Sequence, residues 1–531
     1  MSENKHNKKI NWTMISYLCL LLAITVFFVI MFTSIIFPGK YKIPLTAILF
    51  VIMAILLYFT IHNKNKNGKI VTIIMNCVLS ATMFFGSFSL SIIQTKAIGL
   101  FAEPANTQSI RINAYVMTSE YKKSHTNIFS NIETSLELND YMNSSFIIQK
   151  QSNNNEEYAI DDIEKQLDVS KIKTIEDQDV MSAVSTLYNG KGDVLLLNET
   201  FEDAISDIPG YENFKSDTQV IYSVVDNVQI ETEKPDAKTV KDITNSSFMV
   251  FIAGSDSRET EVTPYTRTDV DILLTVDPMN HQVLLISIPR DWYVKNPALE
   301  NRYDKLTHLG NNGLMNSVAG LNQEFGFDYI KNYVEVNFVT FYNIVDAVGG
   351  IDIYNPYAFT CSEKASVGGT SYGGSYAFNE GNIHLDGNQA LTYVRERHAL
   401  SNGDYGRNEH QAIVLRGILS KLTGKAIISN FNGLLDKLQK NFLTNFDADD
   451  IYKLAQKQLN ENSQWNFVSY HLGGVGEYSP TASMGAMELY VSDPISEQVR
   501  FARTEMTKVM NAETIKQETL PADDQTVFLP N

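Results

Sequence analysis

The 531-residue sequence contains only three cysteines. Cys19 and Cys77 lie in long apolar runs, which leaves Cys361 alone and excludes a disulfide framework. Arginine is also scarce, with eleven residues against 32 lysines. The formal net charge of −18 argues against a basic nucleic-acid-binding protein, and the 44% hydrophobic content excludes a disordered polyelectrolyte.

Acidic residues are almost absent from the first 93 residues, which contain eight lysines and a single acid, Glu3. The remainder of the chain has 35 basic and 60 acidic residues, a net charge of −25. A folded part with this charge is repelled by free DNA and by anionic lipid headgroups. Any anionic ligand would therefore need a local cationic pocket.

Three uncharged apolar runs occupy residues 13–37, 43–61 and 70–93. Each has about 19 residues or more, enough to cross a hydrocarbon core of roughly 30 Å, so we predict three transmembrane helices and a permanent multi-pass anchor in the cell membrane. More lysines precede the first and third runs than lie between the first and second, which predicts a cytoplasmic segment at residues 1–12. The chain beyond the third run is then extracellular, where any synthetic reaction needs an activated substrate delivered by the membrane.

Short apolar runs beyond the spans predict two α/β domains. Residues 107–240 alternate strand-like and helix-like runs, which predicts a small extracellular accessory domain without a catalytic constellation. Residues 245–490 predict a second domain with a mixed central sheet and flanking helices. The glycine-rich segment 368–381 is typical of a mobile surface loop, and residues 491–531 are predicted to form an acidic carboxyl-terminal tail.

Arginine is concentrated in one region of the second domain. Eight of the eleven arginines, but only four lysines, lie between Arg258 and Arg416. Arginine binds phosphate or carboxylate through a planar pair of donors and stays charged when partly buried. Pairing with nearby acids remains the alternative for any single arginine, but the cluster as a set predicts an anion site.

Acidic residues stand at the ends of two predicted strands of this domain. Asp256 follows one apolar strand, and Asp269 immediately precedes the next. Mg²⁺ takes one or two protein carboxylates and completes its octahedron with water and phosphate oxygens. The pattern predicts Asp256 and Asp269 as a ligand pair for Mg²⁺, although a lone aspartate at a strand end is more often a turn or cap residue.

Further arginines lie at the ends of other predicted elements. A proline before Arg290 favours an extended backbone at the end of a third strand. Arg395 and Arg397 are two apart, so their guanidiniums share one side if the backbone is extended. Arg407 and Gln411 are four apart at a predicted helix start, where the helix dipole favours an anion.

These motifs, read in order, resemble those of the LytR-CpsA-Psr family of envelope proteins. The matching segments are GSDSR (254–258), RTD (267–269), SIPRD (287–291), AVGGI (347–351), LDGNQALTYVRERH (385–398) and the spacing of Asp404, Arg407 and Gln411. They lie within residues 245–424, and their order makes the resemblance specific. Three spans followed by an extra extracellular domain are similar to the capsule-type branch of the family.

The resemblance implies a phosphotransferase that moves an anionic glycan from polyprenyl pyrophosphate to peptidoglycan and releases polyprenyl phosphate. The implied polymer is a capsular polysaccharide or a teichoic-acid-like chain. The implied cofactor is Mg²⁺, or Mn²⁺ as an alternative, bound by Asp256 and Asp269. The implied catalytic residues are Arg267, Arg290 and Asp269. The implied pyrophosphate-binding residues are Arg267, Arg290, Arg395, Arg397, Arg407 and Gln411.

Asp271 departs from the family pattern, because it is a second acid on the face of Asp269 where the family has an apolar or small residue. Which of the two binds the metal better is left open, and we assign the role to Asp269.

Two other functions remain open. A lipid-pyrophosphate hydrolase would use the same residues, with water in place of the sugar acceptor. A regulator of capsule or envelope biosynthesis, of the transcriptional-attenuator type or acting with a kinase partner, would use the membrane helices, and capsule assembly proteins in the membrane are candidate partners. The acidic extracellular part has no basic recognition helix, which argues against nucleic acid as a partner.

Overall fold

The protein is described by a computed structural model, which forms a three-helix membrane segment followed by two α/β domains. The described residues are 11–34, 37, 39–100, 107–149, 155–206, 208–229, 242–255, 266–367, 370–396, 399–400, 404–423, 442–446, 448–461 and 463–517. Asp256 and Arg397 lie outside them. The end of the predicted accessory domain, residues 230–240, also lies outside them.

The three predicted membrane spans are helices: α1 (Trp12–Thr33), α2 (Gly39–His62) and α3 (Lys66–Leu100). Each is long and apolar enough to cross a membrane, which indicates a membrane-anchored protein. A buried hydrogen bond of 3.1 Å from Asn76 Nδ2 to Ser16 Oγ links α3 to α1. Polar side chains buried between the helices satisfy each other in this way, because lipid offers them no partner.

The accessory domain is a five-stranded sheet with helices on both faces. Its strands are β1 (Thr107–Met117), β2 (Ser145–Gln149), β3 (Lys173–Asp177), β4 (Val194–Asn198) and β5 (Thr218–Gln229), in the order β3-β2-β4-β1-β5. Its helices are α4 (Ser119–Ser124), α5 (Asn155–Gln166), α6 (Val180–Tyr188), α7 (Glu202–Ser206) and α8 (Phe214–Asp217). Alternate residues of β1 face opposite sides, so Ile112 packs in the cluster that contains α5 and Tyr115 in the cluster that contains α6.

The second domain is built on a six-stranded mixed sheet with several hairpins. Its strands are β6 (Phe248–Ser255), β7 (Thr268–Asp277), β8 (Gln282–Ile288), β9 (Tyr293–Asn296), β10 (Arg302–Lys305), β11 (Ile330–Val336), β12 (Ile351–Asn355), β13 (Phe359–Val367), β14 (Thr370–Phe378), β15 (Gly381–Leu385), β16 (Phe442–Thr444), β17 (Asn466–His471), β18 (Gly474–Thr481) and β19 (Gly485–Pro494). Its helices are α9 (Leu306–Leu309), α10 (Leu314–Phe325), α11 (Phe338–Ala347), α12 (Gly387–Arg395), α13 (Asp404–Leu422), α14 (Ala448–Glu461) and α15 (Ser496–Met510).

The central sheet has the order β16-β11-β6-β7-β8-β17. Strand β7 is antiparallel to both of its neighbours, β6 and β8, while β11 runs parallel to β6 and β17 runs parallel to β8. Phe251 and Leu273 face the core that contains α10 and α15, and Val250 and Ile272 face the core that contains α13 and α14 residues. The predicted fold class, a mixed central sheet with flanking helices after a small α/β domain and three apolar helices, is confirmed.

The prediction of a mobile loop at residues 368–381 is wrong for residues 370–381, and residues 368–369 lie outside the described ranges. Strand β14 pairs with β13 along its length, and Phe378 is buried in the core formed by α11, α12 and α13. The glycines let this strand approach α12 closely: the Gly374 N–H donates to Thr392 Oγ1 at 3.0 Å. Alternating aromatic side chains therefore outweigh the glycine content.

The prediction of an acidic tail beyond residue 490 is wrong for residues 491–517. Strand β19 pairs with β18, and α15 packs on the central sheet with Met506 and Val509 fully buried. The Ser247 hydroxyl donates to the Val509 carbonyl at 2.9 Å. Apolar residues at helical spacing drive this packing, with Val499, Ala502 and Met506 on the buried face.

Candidate functional site

The candidate site lies at one edge of the central sheet. Because β7 is antiparallel to β6 and β8, its first residues meet the carboxyl ends of both neighbours. Strand β11, parallel to β6, also ends at this edge. The motif residues that precede β7 and those that follow β8 are thereby brought together, although about twenty residues separate them in the sequence.

Asp269 is the centre of this edge. Arg290 Nη1 donates to Asp269 Oδ1 at 2.8 Å, and the two side chains are 12% and 21% exposed. Burial raises the pKa of the Asp269 carboxyl, but the surrounding guanidiniums outweigh this effect and hold the pKa below its ordinary value. Those guanidiniums belong to Arg290, Arg407 and Arg267. An ionised carboxylate therefore lies among three arginines, two of which, Arg267 and Arg407, are buried.

A second ion pair holds the other side of Arg290. Asp291 Oδ1 accepts from Lys305 Nζ at 2.8 Å, and Asp291 Oδ2 lies 3.9 Å from Arg290 Nε. Burial raises the pKa of Asp291, but Arg290 and Lys305 outweigh it, so the pKa is lowered overall. The site thus has more cationic side chains than ionised carboxylates, which suits a polyanion such as pyrophosphate.

Asp271 has a different environment from Asp269. It is 2% exposed, and burial, followed by other effects including repulsion from Asp269, raises its pKa well above the ordinary value. The protonated form is therefore favoured at Asp271 and the ionised form at Asp269. This difference favours Asp269 as the metal ligand.

Arg395 is the last residue of α12 and reaches the same edge of the sheet. Its guanidinium carbon lies 4.2 Å from the centroid of the Phe338 ring. Phe338 is the first residue of α11 and lies two residues after the end of β11. Arg395 Nε lies 3.9 Å from Glu363 Oε2, and the side chain is 25% exposed. Because Arg395 ends a helix, the predicted extended spacing to Arg397 does not begin at Arg395 itself.

Arg407 and Gln411 lie one turn apart on α13, as predicted, and are 6% and 7% exposed. The start of this helix is joined to the sheet by Ser287 Oγ, which donates to the Asn408 carbonyl at 3.4 Å. Arg407 is thereby held close enough to Asp269 and Asp291 to lower the pKa of both.

The described side chains supply only some of the ligands that a metal ion needs. Within the described ranges, no group of three or more His, Cys, Asp or Glu side chains could hold a metal ion. Asp269 supplies one ionised carboxylate, and Asp256 belongs to the residues not described. A magnesium ion here would therefore depend on phosphate oxygens of a ligand, which is the usual chemistry of this ion.

Several site residues were not assigned a role from the sequence. Asp291 and Lys305 hold Arg290, and Phe338 and Glu363 contact Arg395. The signal for Lys305 is that it is one of only four lysines in the arginine-rich region. No sequence signal identifies Phe338, since its contact joins two separate helices.

Comparisons with known proteins give concordant matches. A sequence profile of the LytR_cpsA_psr family matches residues 216–491. The polyisoprenyl-teichoic acid–peptidoglycan teichoic acid transferase TagU of Enterococcus faecalis is 32% identical over 226 residues, which cover 42% of this chain and 70% of the relative. The protein of the same name from Bacillus mycoides is 28% identical over 299 residues, 54% of this chain and 91% of the relative. The crystal structure of TagV from B. subtilis matches with 24% identity and a TM-score of 0.40, over 51% of this chain and 99% of that one.

Proposed function

Because the chain belongs to the LytR_cpsA_psr family, we propose that it transfers a glycan phosphate from a polyprenyl pyrophosphate carrier to a peptidoglycan hydroxyl. The observation that carries this proposal is the group of arginines around the ionised Asp269 at one edge of the sheet. Arg267, Arg290 and Arg407 supply bidentate donors at a site with surplus positive charge. A pyrophosphate is the part of the carrier that such a site recognises.

In the proposed reaction the acceptor hydroxyl oxygen forms a bond to the phosphorus that carries the glycan. The bond from that phosphorus to the bridging oxygen breaks, polyprenyl phosphate leaves with the bridging oxygen, and the hydroxyl proton is released to the leaving phosphate or to water. Such a transfer requires positioning and charge neutralisation rather than a covalent intermediate. Arg290, fixed between Asp269 and Asp291, and the buried Arg267 and Arg407 meet this requirement without moving far.

The proposed cofactor is Mg²⁺, with Mn²⁺ as an alternative. Asp269 would hold it together with phosphate oxygens of the carrier, and Asp256 is the second proposed ligand. When bound, the ion neutralises charge on the phosphate oxygens as a Lewis acid. Asp269 is suited to this part because its neighbours keep it ionised.

The proposed polymer is an anionic glycan, either teichoic-acid-like or capsular. The names of the two TagU relatives, which specify teichoic acid, support the first. The three-helix anchor and the additional accessory domain, which resemble the capsule-type branch, support the second.

The proposed topology places the amino terminus in the cytoplasm and both α/β domains outside. The lysine distribution supports this orientation, and one contact is consistent with three membrane spans between the amino terminus and the α/β domains. Lys40, at the start of α2, donates from Nζ to the Asn460 carbonyl at 3.0 Å, so the turn between α1 and α2 lies on the same side of the membrane as α14. Protease added to intact, wall-stripped cells should digest the chain beyond residue 94, whereas protection of that part with cleavage of an amino-terminal tag would contradict the orientation.

The decisive assay follows a labelled glycan on its lipid pyrophosphate carrier. The full-length protein in detergent or nanodiscs is incubated with this donor, Mg²⁺ and peptidoglycan oligomers. Label on the oligomer supports the transferase, and free phosphorylated glycan alone indicates the hydrolase. Label that stays on the lipid in every condition, including the addition of Mn²⁺, would exclude both the transferase and the hydrolase activity.

A further inference from the structure

The hairpin β18–β19 belongs to the second domain, but its tip lies in the core of the accessory domain. Met484 is fully buried and packs in the cluster that contains Val180 and Val184 of α6. Gly485 follows with a φ of +84°, and a Cβ placed there would come within 2.2 Å of Asp179 Cγ. The tip thus fits against the start of α6 with no space for a larger residue.

The residue before Met484 contacts a buried Asp–His hydrogen bond of the second domain. Ser483 Oγ lies 3.0 Å from Asp304 Oδ1 and 2.9 Å from His308 Nδ1. Asp304 Oδ1 and His308 Nδ1 are themselves 2.8 Å apart, and neither side chain is more than 2% exposed. The Ala482 N–H also donates to the Tyr303 carbonyl at 2.9 Å, so the tip is joined to β10 and α9 by side chain and backbone.

The tip of the β18–β19 hairpin contacts the segment at residues 304–307, and this segment also holds Arg290 in place. Lys305, next to Asp304, binds Asp291, and Asp291 lies beside the Arg290 guanidinium. The Thr307 N–H donates to the Arg290 carbonyl at 2.9 Å, which fixes the backbone of the arginine as well. A continuous set of contacts therefore runs from the accessory domain to the arginine that binds Asp269.

We infer that Ser483 and Met484 are positioning residues, through which the accessory domain holds Arg290 in the orientation that binds pyrophosphate. Met484 seats the tip in the accessory core, and Ser483 transmits that position to the segment at Asp304–Thr307. The inference rests on the proposed function for its ligand. It assigns the accessory domain a part in substrate binding, although none of the described side chains of that domain belongs to the site.

The first test compares hydroxyl variants on the same hairpin in the full-length protein. The probe is geranylgeranyl pyrophosphate with Mg²⁺, and its dissociation constant is measured together with the melting temperature. Ser483→Ala should weaken binding about tenfold, the effect typical of losing a supporting partner of a binding group. Ser483→Thr, which keeps the hydroxyl, should restore it. Ser479→Ala is the matched control, because the Ser479 hydroxyl is exposed and donates to Glu477 at 2.7 Å.

The second test needs no ligand and therefore separates this inference from the proposed function. Amide hydrogen exchange at Thr307, whose N–H is bonded to Arg290, should become faster in Met484→Ala. It should not change in Met142→Ala, since Met142 is an exposed methionine of the accessory domain. Unchanged exchange at Thr307 in Met484→Ala, or equal affinities for Ser483→Ala and Ser479→Ala, would overturn the inference. A wild-type protein that does not bind the probe would instead overturn the proposed function.

Discussion

The two α/β domains share an architecture but differ in what they bury. Among the described residues of the accessory domain, the buried polar side chains are Asn113, Ser145 and Thr218, all uncharged. The buried residues of the second domain include both basic and acidic side chains, among them Arg267, Asp271, Asp304, Lys305, Glu335 and Arg407.

The free-energy cost of buried charge explains what this difference means. An unpaired buried charge destabilises a fold strongly, and even a paired one is often no better than an apolar core. The described core of the accessory domain is therefore stabilised without buried charged side chains. The additional charges of the second domain are expected where binding and catalysis set the requirement.

The largest effect should come from Asp269→Ala. The change removes the ionised carboxylate at the centre of the site and leaves the guanidinium of Arg290 without its 2.8 Å partner. Glycan transfer should fall by at least about 100-fold, as for loss of a group that organises transition-state charge. Transfer is measured with and without chelator and after restoring Mg²⁺, with the exposed Asp328→Ala as control. Full activity in Asp269→Ala would show that Asp269 takes no part in glycan transfer.

A substitution in the apolar core of the accessory domain should lower the unfolding free energy and leave ligand binding unchanged. Ile163 is fully buried on the face of the sheet away from Met484, so Ile163→Ala should cost about 2–5 kcal/mol of unfolding free energy. Affinity for a prenyl pyrophosphate should stay unchanged below the new melting transition. Calorimetry and binding on the same sample test this, with the exposed Ile132→Ala for comparison. Loss of affinity below the melting transition would show that the core around Ile163 also affects ligand binding.

Replacing arginine by lysine should distinguish binding residues from surface charge. Lysine keeps the charge but loses the planar pair of donors, so each motif arginine should lose at least about tenfold in transfer, or about 1.4 kcal/mol. The four motif positions are Arg290, Arg395, Arg397 and Arg407. Arg416 and Arg500, both exposed, are the controls and should change little. Equal tolerance at all six positions would mean that the arginines have another role.

The smallest effect concerns Glu335, a fully buried carboxyl on β11. Burial raises its pKa well above the ordinary value of 4.5, so the folded state binds the proton more tightly than the unfolded state. The contribution of this group to stability is present below pH 4.5 and is lost as the pH rises toward the folded-state pKa. The melting temperature of Glu335→Gln, relative to the wild type, should therefore increase from pH 5 to pH 9.

This dependence on pH is the relevant readout, because any cost of burying the amide itself does not vary with pH. For domains of about 150–250 residues, 1 kcal/mol corresponds to about 2–4 °C. The exposed Glu497→Gln should run parallel to the wild type over the same range. Parallel curves for Glu335→Gln as well would show that Glu335 titrates normally.

The sequence by itself determined the elements whose pattern is local. Three uncharged runs of sufficient length became three apolar helices, and short apolar runs became the strands of both sheets. The motif arginines were found because arginine is rare elsewhere in the chain. Each of these signals is contained within a short stretch of residues, where backbone geometry alone sets the spacing.

Only the tertiary structure decided which distant residues meet. Ser483 contacts Asp304 across 179 positions, and the Phe338 ring lies against Arg395 from a different helix. The burial of α15 was missed because charged residues of both signs dilute its apolar pattern, although its buried face is set by contacts with the sheet. Such contacts form where strand order and helix packing bring separate segments together, and neither is encoded in the spacing of neighbouring residues.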